Sequence, residues 1–269
     1  TGSLRVAETE ERAGEIRDLV EMGRGIGFDI DHLELDEVAK RLPYMRTDDL
    51  LDACYCPTDG HIQPAELVAA YLKVGREHGV VYRSGCPVRG LEFSDGHVQS
   101  VVTDQGTIST NVVINAAGPW SYLVADLADT PLQTAALGHV YLTTRPDDNH
   151  PVDRLSPATR DRHLRLYSRP ESGGLIVGMY GADAVQHDMR SLPDEFDMSA
   201  LSVRADDLHV ALLIDATKRR FPWINERTPM TITRGIMTFT PDGKPFCGKR
   251  PDIDGLFHCS GFCGHGIVQ

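Results

Sequence analysis

Along the 269-residue chain, apolar positions recur with two periods, and their alternation lays out a mixed order of helices and strands. Residues 4–7 read as a short strand. Residues 8–22 carry Ile16, Leu19 and Val20 among charges, the stripe of an amphipathic helix. Gly23, Gly25 and Gly27 follow it and read as a C-cap and turn. They do not read as a phosphate-binding loop, which must follow a strand and open a helix. Residues 34–42 form a second short helix stopped by Pro43. A strand over 51–55 leads through PTDGHIQP into a helix over 64–78. Pro64 sits at its first position, Leu67, Val68, Tyr71, Leu72 and Val74 form its apolar face, and Gly79 ends it.

Residues 80–83 read as a strand, and 87–93, 98–103 and 107–109 as a β-meander. Its first turn, Ser94-Asp95-Gly96-His97, has the Asp-Gly pair of a tight hairpin. Residues 112–115, Val-Val-Ile-Asn, are nearly all apolar, as in a strand buried on both faces. That strand empties into Ala116, Ala117 and Gly118, then Pro119 and Trp120. After a helix reaching about residue 127, residues 135–144, 164–168 and 174–180 read as antiparallel strands. Residues 205–221 read as a helix, 231–240 as a strand and 256–260 as a last short strand. The order joins a part suited to a parallel sheet with helices to a part suited to a larger antiparallel sheet. The fold class is therefore α/β with α+β character.

Two stretches share a physical logic. VVINAAG (112–118) and LFHCSGFCGHG (256–266) are each a buried strand running into the smallest residues. At the carboxyl end of a parallel strand, such residues let the backbone approach a phosphate or a flat ring. Gly264-His265-Gly266 reads as a helix opening, whose N-terminus would attract anions. Close packing of helix on sheet also selects Gly and Ala, so both readings stand at this point.

Composition narrows the partners. A net charge of -12 disfavours nucleic acid, which wants a basic surface. No apolar run approaches the roughly 20 residues of a membrane span, and no basic-then-apolar secretory leader is visible. The six cysteines include Cys54 and Cys56, with one residue between them, and Cys259 and Cys263, with three between them. Neither spacing is that of a structural zinc site, so no metal is expected, and free thiols in a reducing cytoplasm are.

Taken together, VVINAAGPWS and TPDGKPFCGKRPDIDGLFHCSGFCGHGIVQ (240–269) resemble the D-amino acid oxidase-like superfamily of FAD-dependent amine oxidoreductases. YCPTDGHIQPAELVAAYLKVGREHGVVY (55–82) and HVYLTTR (139–145) are similar to its dimethylglycine and sarcosine dehydrogenase branch. The resemblance implies part of an FAD-binding Rossmann-like domain with a large mixed or antiparallel substrate domain. It divides the chain into a substrate or cap region (1–50), a FAD-binding portion (51–130), an antiparallel-sheet substrate domain (131–235) and a C-terminal FAD-binding portion (236–269). The family's opening strand, GxGxxG turn and helix have no counterpart in this sequence, nor does the helix that follows its glycine motif. The expectation is a chain lacking both ends of the family pattern.

Carried over residue by residue, the resemblance places Val88 at the adenine through its backbone. Ala116, Ala117, Gly118 and Trp120 line the cofactor, with Trp120 equally readable as a core aromatic. Pro241, Asp242 and Gly243 form a turn near the flavin. Gly261, Phe262, Gly264, His265, Gly266 and Ile267 wrap the isoalloxazine. Gly235 stands where some members carry the cysteine that bonds FAD covalently. Val268 and Met237 stand where relatives carry a lysine and an arginine for the substrate carboxylate. The remaining substrate or catalytic candidates are His139, Tyr141, Tyr167, Arg169 and Tyr180, with Arg234 and Lys244 as weaker ones. His139 and Tyr141 alternate on one strand face, as do Tyr167 and Arg169. Each also reads as a solvent-facing or core-edge position.

The implied activity is oxidation of the C–N bond of a secondary or tertiary amine, sarcosine- or dimethylglycine-like, by hydride transfer to flavin N5. A FAD-dependent oxidase of another small amino or hydroxy acid, and a flavin-less subunit of the same fold, are the alternatives. A homo- or hetero-oligomer is compatible with the sequence, and the electron acceptor is not specified by it.

Overall fold

The computed structural model describes residues 1–181, 184–193, 207–225 and 227–267. Its elements, in chain order, begin with β1 (Ser3–Ala7), α1 (Glu10–Gly25), β2 (Asp31–His32), α2 (Leu35–Arg41), β3 (Asp52–Cys56) and α3 (Pro64–Glu77). Next come β4 (Val88–Ser94), β5 (His97–Thr103), β6 (Gly106–Ser109), β7 (Val113–Asn115), α4 (Ser121–Asp126) and β8 (Ala135–Thr144). Then follow β9 (Ala158–Asp161), β10 (Leu166–Glu171), β11 (Gly174–Met179) and β12 (Val185–Gln186). The last are α5 (Leu208–Arg220), β13 (Met230–Phe239), β14 (Phe246–Lys249) and β15 (Leu256–Ser260). The expected start of the α5 helix, at 205–206, lies outside the described residues.

Two units divide the chain. The first holds Thr1–Val68, His139–Ala184 and Ser202–Arg234, the second Ala69–Gly138, Val185–Leu201 and Gly235–Gln269. Residues 51–68, expected with the cofactor-binding portion, thus lie in the first unit. The reason is pairing: β3 runs antiparallel to β1, with Arg5 opposite Cys54 and Val6 opposite Ala53.

In the first unit the strand order is β2-β3-β1-β9-β10-β11-β8. All neighbours are antiparallel except β1 and β9. Alternation sends Leu4, Val6, Leu142, Leu166, Leu175 and Val177 to one face, where they pack with Val38 and Leu42 of the α2 region and Val210, Leu213 and Ala216 of α5. Helix α1 is capped by the Thr9 side chain, which accepts from Arg12 N, and buries Ala13, Ile16 and Val20 against Ala7 and Cys54. The helix runs through Gly23 and Gly25, so only Gly27, at φ +87°, serves as the turn glycine. Arg220 is 1% exposed and ties the core's edge together. Its guanidinium donates to Glu8, to Asp49 at 2.8 Å, to Asp161 at 2.9 Å and to the Arg46 carbonyl at 2.6 Å.

The second unit holds the meander β4-β5-β6 and the three-stranded sheet β14-β15-β7. The hairpin turn is as expected: Ser94 pairs with His97, and Asp95 and Gly96 both have positive φ. β12 pairs with Leu137 and Gly138 at the start of β8.

Several expectations are corrected. Residues 80–83 form no strand; Tyr82 instead folds back on α3, its hydroxyl donating to the Tyr71 carbonyl at 3.4 Å beside Gly75. The apolar face of α3 is not buried, with Tyr71 69% exposed. β7 pairs only with β15 among the described residues, and Ile114 is 64% exposed, unlike a strand covered on both faces. The strand expected over 164–168 begins at Leu166, because β9, not foreseen, turns into it through residues 162–165.

Candidate functional site

In the second unit β7 and β15 are parallel, with Leu256 opposite Val113, Phe257 opposite Ile114 and His258 opposite Asn115. Their carboxyl ends therefore open side by side into the two small-residue stretches. In open α/β sheets the crevice beyond such ends is where ligands bind. Asn115 organises the first stretch. Its Nδ2 donates to the Ser121 carbonyl at 2.8 Å and lies 3.2 Å from His258 Nδ1, and its Oδ1 accepts from Ala117 N at 3.3 Å. Burial, and then the charge of Arg250, push the His258 pKa below its ordinary value. A neutral ring is what Asn115 needs, because Nδ1 must accept. Gly118 takes φ +52°, and a Cβ built on it would meet only open space. The backbone there is bare and approachable.

Val88, Ala117 and Trp120, three of the expected cofactor residues, line one cavity of about 660 Å³ together with Arg83, Cys86 and Pro87. That lies within the roughly 300–1,000 Å³ of small-molecule sites. A register shift between Val88 and Gly90 turns β4 at this wall. Ala116 is exposed beside it.

The second stretch is held by Cys263. Its N donates to the Thr238 carbonyl at 3.1 Å, and its thiol donates to the Gly261 carbonyl at 3.2 Å. Gly261 has φ +78°, and a Cβ there would lie 2.4 Å from Thr240 Cγ2, so packing alone requires this glycine. Residues 261–267 form successive turns rather than the expected helix opening, with His265 N donating to the Phe262 carbonyl at 2.8 Å. Phe262 is half-buried, while Gly264, His265, Gly266 and Ile267 are exposed. Pro241, Asp242 and Gly243 form an exposed turn in which Asp242 accepts from Lys244 N at 3.0 Å. Val268 lies outside the described residues.

Among the buried polar atoms of this unit, Ser121 Oγ, Thr134 Oγ1, Arg250 Nε and His258 Nε2 have no partner among the described residues. Buried polar atoms are normally paired, so such atoms mark places for a ligand or water. The cavity at Val88, Ala117 and Trp120, with the bare Gly118 backbone next to Ala117 in the chain, fits a cofactor with flat rings and polar edges, as FAD has.

The substrate candidates lie in the first unit. Arg5, Arg160, Tyr167, Gly178 and Tyr141 are directly opposite one another across five strands, so they share the sheet face turned away from the Leu4–Val6 core. A Cβ on Gly178 would lie 2.1 Å from Tyr167 Cζ, so the Tyr167 ring lies flat across that glycine. Tyr167 and Tyr180 have ring centroids 5.3 Å apart, and His139 lies 5.7 Å from Tyr180. His209, which the sequence did not single out, meets His139 edge-on at 5.7 Å from the first turn of α5. Burial, then the neighbouring phenols, push the Tyr167 hydroxyl up to about 12.

Arg169 is engaged: its guanidinium donates to Glu171 at 2.6 Å, and Glu171 also accepts from Gln63. His61 of the same loop as Gln63 has its pKa lowered, by burial first and then by Arg169. Arg234 is paired with Asp207, which also caps α5 by accepting from His209 N at 2.9 Å.

No helix among the described residues is long and apolar enough to cross a membrane. The chain is 28% identical over 272 residues to human (Homo sapiens) mitochondrial sarcosine dehydrogenase, covering 99% of this chain and 29% of that one. It is 26% identical to the mitochondrial pyruvate dehydrogenase phosphatase regulatory subunit of Mus musculus, covering 99% of this chain and 30% of that one. The chain thus spans less than a third of the length of these relatives. In fold it is similar to L-proline dehydrogenase from P. horikoshii, with a TM-score of 0.84 and 20% identity over 100% of this chain and 68% of that one. The family model described as DAO, FAD dependent oxidoreductase, matches residues 1–269, and the chain belongs to that family.

Proposed function

We propose that this chain is the body of an FAD-dependent oxidoreductase that oxidises the C–N bond of a secondary or tertiary amino acid, sarcosine- or dimethylglycine-like. The observation that carries this reading is the meeting of Val88, Ala117 and Trp120 on one cavity. The likeness to sarcosine dehydrogenase supports the substrate class. FAD, when bound, supplies the acceptor for the hydride leaving the carbon next to nitrogen.

The chain's own residues do the rest. Ala117, Gly118 and Trp120 hold the cofactor by backbone approach and a flat contact, and Asn115 fixes that loop. Tyr167, Tyr180 and His139 frame the substrate. Their rings cover it on one side, and Arg5 and Arg160 on the same sheet face disfavour a further positive charge, which favours the neutral amine that can release hydride. Tyr167 remains protonated at neutral pH and donates rather than accepts. The cytoplasm is the proposed compartment, because all six cysteines, Cys54, Cys56, Cys86, Cys247, Cys259 and Cys263, are free thiols.

A second reading, a flavin-less regulatory subunit of the same fold, is favoured by the likeness to the phosphatase regulatory subunit. One experiment separates the two. The full natural polypeptide is purified and titrated with FAD, and flavin absorption is followed before and after anaerobic sarcosine or dimethylglycine. Bound flavin bleached by either amine is the expected result. A folded protein that takes up no flavin would leave only the subunit reading.

A further inference from the structure

We propose that the first unit carries a binding site for a compact dianion, a phosphate ester or a dicarboxylate, in a cavity of about 310 Å³ walled by Arg12, Arg160, Arg162, Arg165, Tyr167 and Tyr180. It borders the proposed substrate face, sharing Tyr167 and Tyr180 with it, and does not rest on the flavin reading.

Its charge is the first argument. Four arginines line one small space in a chain whose net charge is -12. Arg12 and Arg162 share a single carboxylate, Glu15, with Arg162 at 2.8 Å. Asp161 also borders the cavity, but its carboxylate is taken by the buried Arg220 at 2.9 Å. Arg160 and Arg165 have no carboxylate partner among the described residues. The balance is a surplus of positive charge that one carboxylate ligand would not neutralise. Arg5, which neighbours Arg160 across the β1–β9 pair, is held below its ordinary pKa, by burial first and also by Arg160 and Arg162. The crowding of like charge is therefore felt beyond the cavity wall.

The backbone supplies an independent argument. Arg165 sits in the turn from β9 to β10 at φ +58°, the left-handed region that favours glycine. Such strain on a bulky side chain persists where the surrounding structure or a ligand needs it. Here it places Arg165 on the cavity wall.

The chemistry of the walls selects the ligand. Arginine forks match the paired oxygens of phosphate and carboxylate groups. Tyr167 adds a hydroxyl that stays protonated and has no hydrogen-bond partner among the described residues, a ready donor to an anion oxygen. The small volume fits a compact group rather than a polymer.

The test is isothermal titration of the full natural protein with inorganic phosphate, succinate and acetate at constant ionic strength. Saturable binding of phosphate or succinate, with acetate at least tenfold weaker, is expected; whichever of the two binds more tightly identifies the phosphoryl or dicarboxylate source. Arg160→Gln should weaken that binding at least tenfold. Arg165→Gly should do the same while relieving the backbone, so its loss of binding cannot be laid to misfolding. Arg154→Gln, an exposed arginine outside the cavity, should bind as the parent does. Absence of saturable binding by either dianion, or equal binding by the parent and the Arg165→Gly protein, would overturn the proposal.

Discussion

Asn115 and His258 face each other across the β7–β15 pair, with Asn115 Nδ2 3.2 Å from His258 Nδ1. The contact holds only while the imidazole is neutral, because a protonated ring has no acceptor to offer. Burial and Arg250 place the folded pKa below its ordinary value. An unfolded chain takes the proton near about 6.5. Protonation thus favours the unfolded state, and this contribution to stability is full above that pH and is lost as pH falls below it. Thermal melts across this range should show a midpoint that declines on acidification. In His258→Gln that component should vanish; parallel profiles would remove His258 from the account.

Gly118 tests the cofactor reading. Its φ of +52° disfavours any side chain, and its missing Cβ faces open space. Gly118→Val should cost about 1–3 kcal/mol through backbone strain. Its larger effect should be on flavin, with affinity reduced at least tenfold in a fluorescence-quenching titration. A variant destabilised to that extent but binding FAD normally would mean that Gly118 serves the turn alone.

Much of this was legible in the sequence, for reasons that differ by residue. The Asp95-Gly96 turn is local chemistry, and it folds as its residues require. The sharing of one strand face by His139 and Tyr141, and of another by Tyr167 and Arg169, follows from strand period alone; that Tyr141 and Tyr167 lie on the same sheet face comes from register. What stayed hidden depends on partners far along the chain. Glu171 lies only two residues from Arg169, but nothing local announces that Gln63 joins the pair from another loop. His209 and Arg160 carry no motif; only register and packing bring them to His139 and Tyr167. The apolar stripe of α3 specifies a helix, but periodicity does not say whether a face is covered. At Gly264–Gly266 small residues suit a helix start, but Cys263 pins a loop there.

Arg220 gathers Glu8, Asp49 and Asp161 at the edge of the first unit's core. Glu8 already has a raised pKa, through burial first and then the charge of Asp161. Arg220→Met would leave buried carboxylates uncompensated, a loss on the order of 3–5 kcal/mol. Glu8, already raised, would lose its compensating cation and keep a folded pKa above its unfolded one, so the variant should lose stability as pH rises through it. Denaturant melts at acid and neutral pH should therefore find the variant's deficit smaller at acid pH. An equal deficit at both would point to lost packing rather than charge.

Gly178 is the residue on which the Tyr167 ring rests, and a Cβ there would lie 2.1 Å from Tyr167 Cζ. Gly178→Ala must therefore displace the ring, although the strand itself tolerates alanine. Moving the phenol toward water relieves the burial that lifts it to about 12, so its titration should shift down toward the ordinary tyrosine range. Absorbance near the phenolate band, compared with a Tyr167→Phe protein, isolates that one group. If Tyr167 frames the substrate, the same variant should lose at least tenfold in kcat/KM while its flavin spectrum is unchanged. A shifted titration with unaltered kinetics would separate the two claims, keeping the ring-on-glycine packing and removing Tyr167 from substrate recognition.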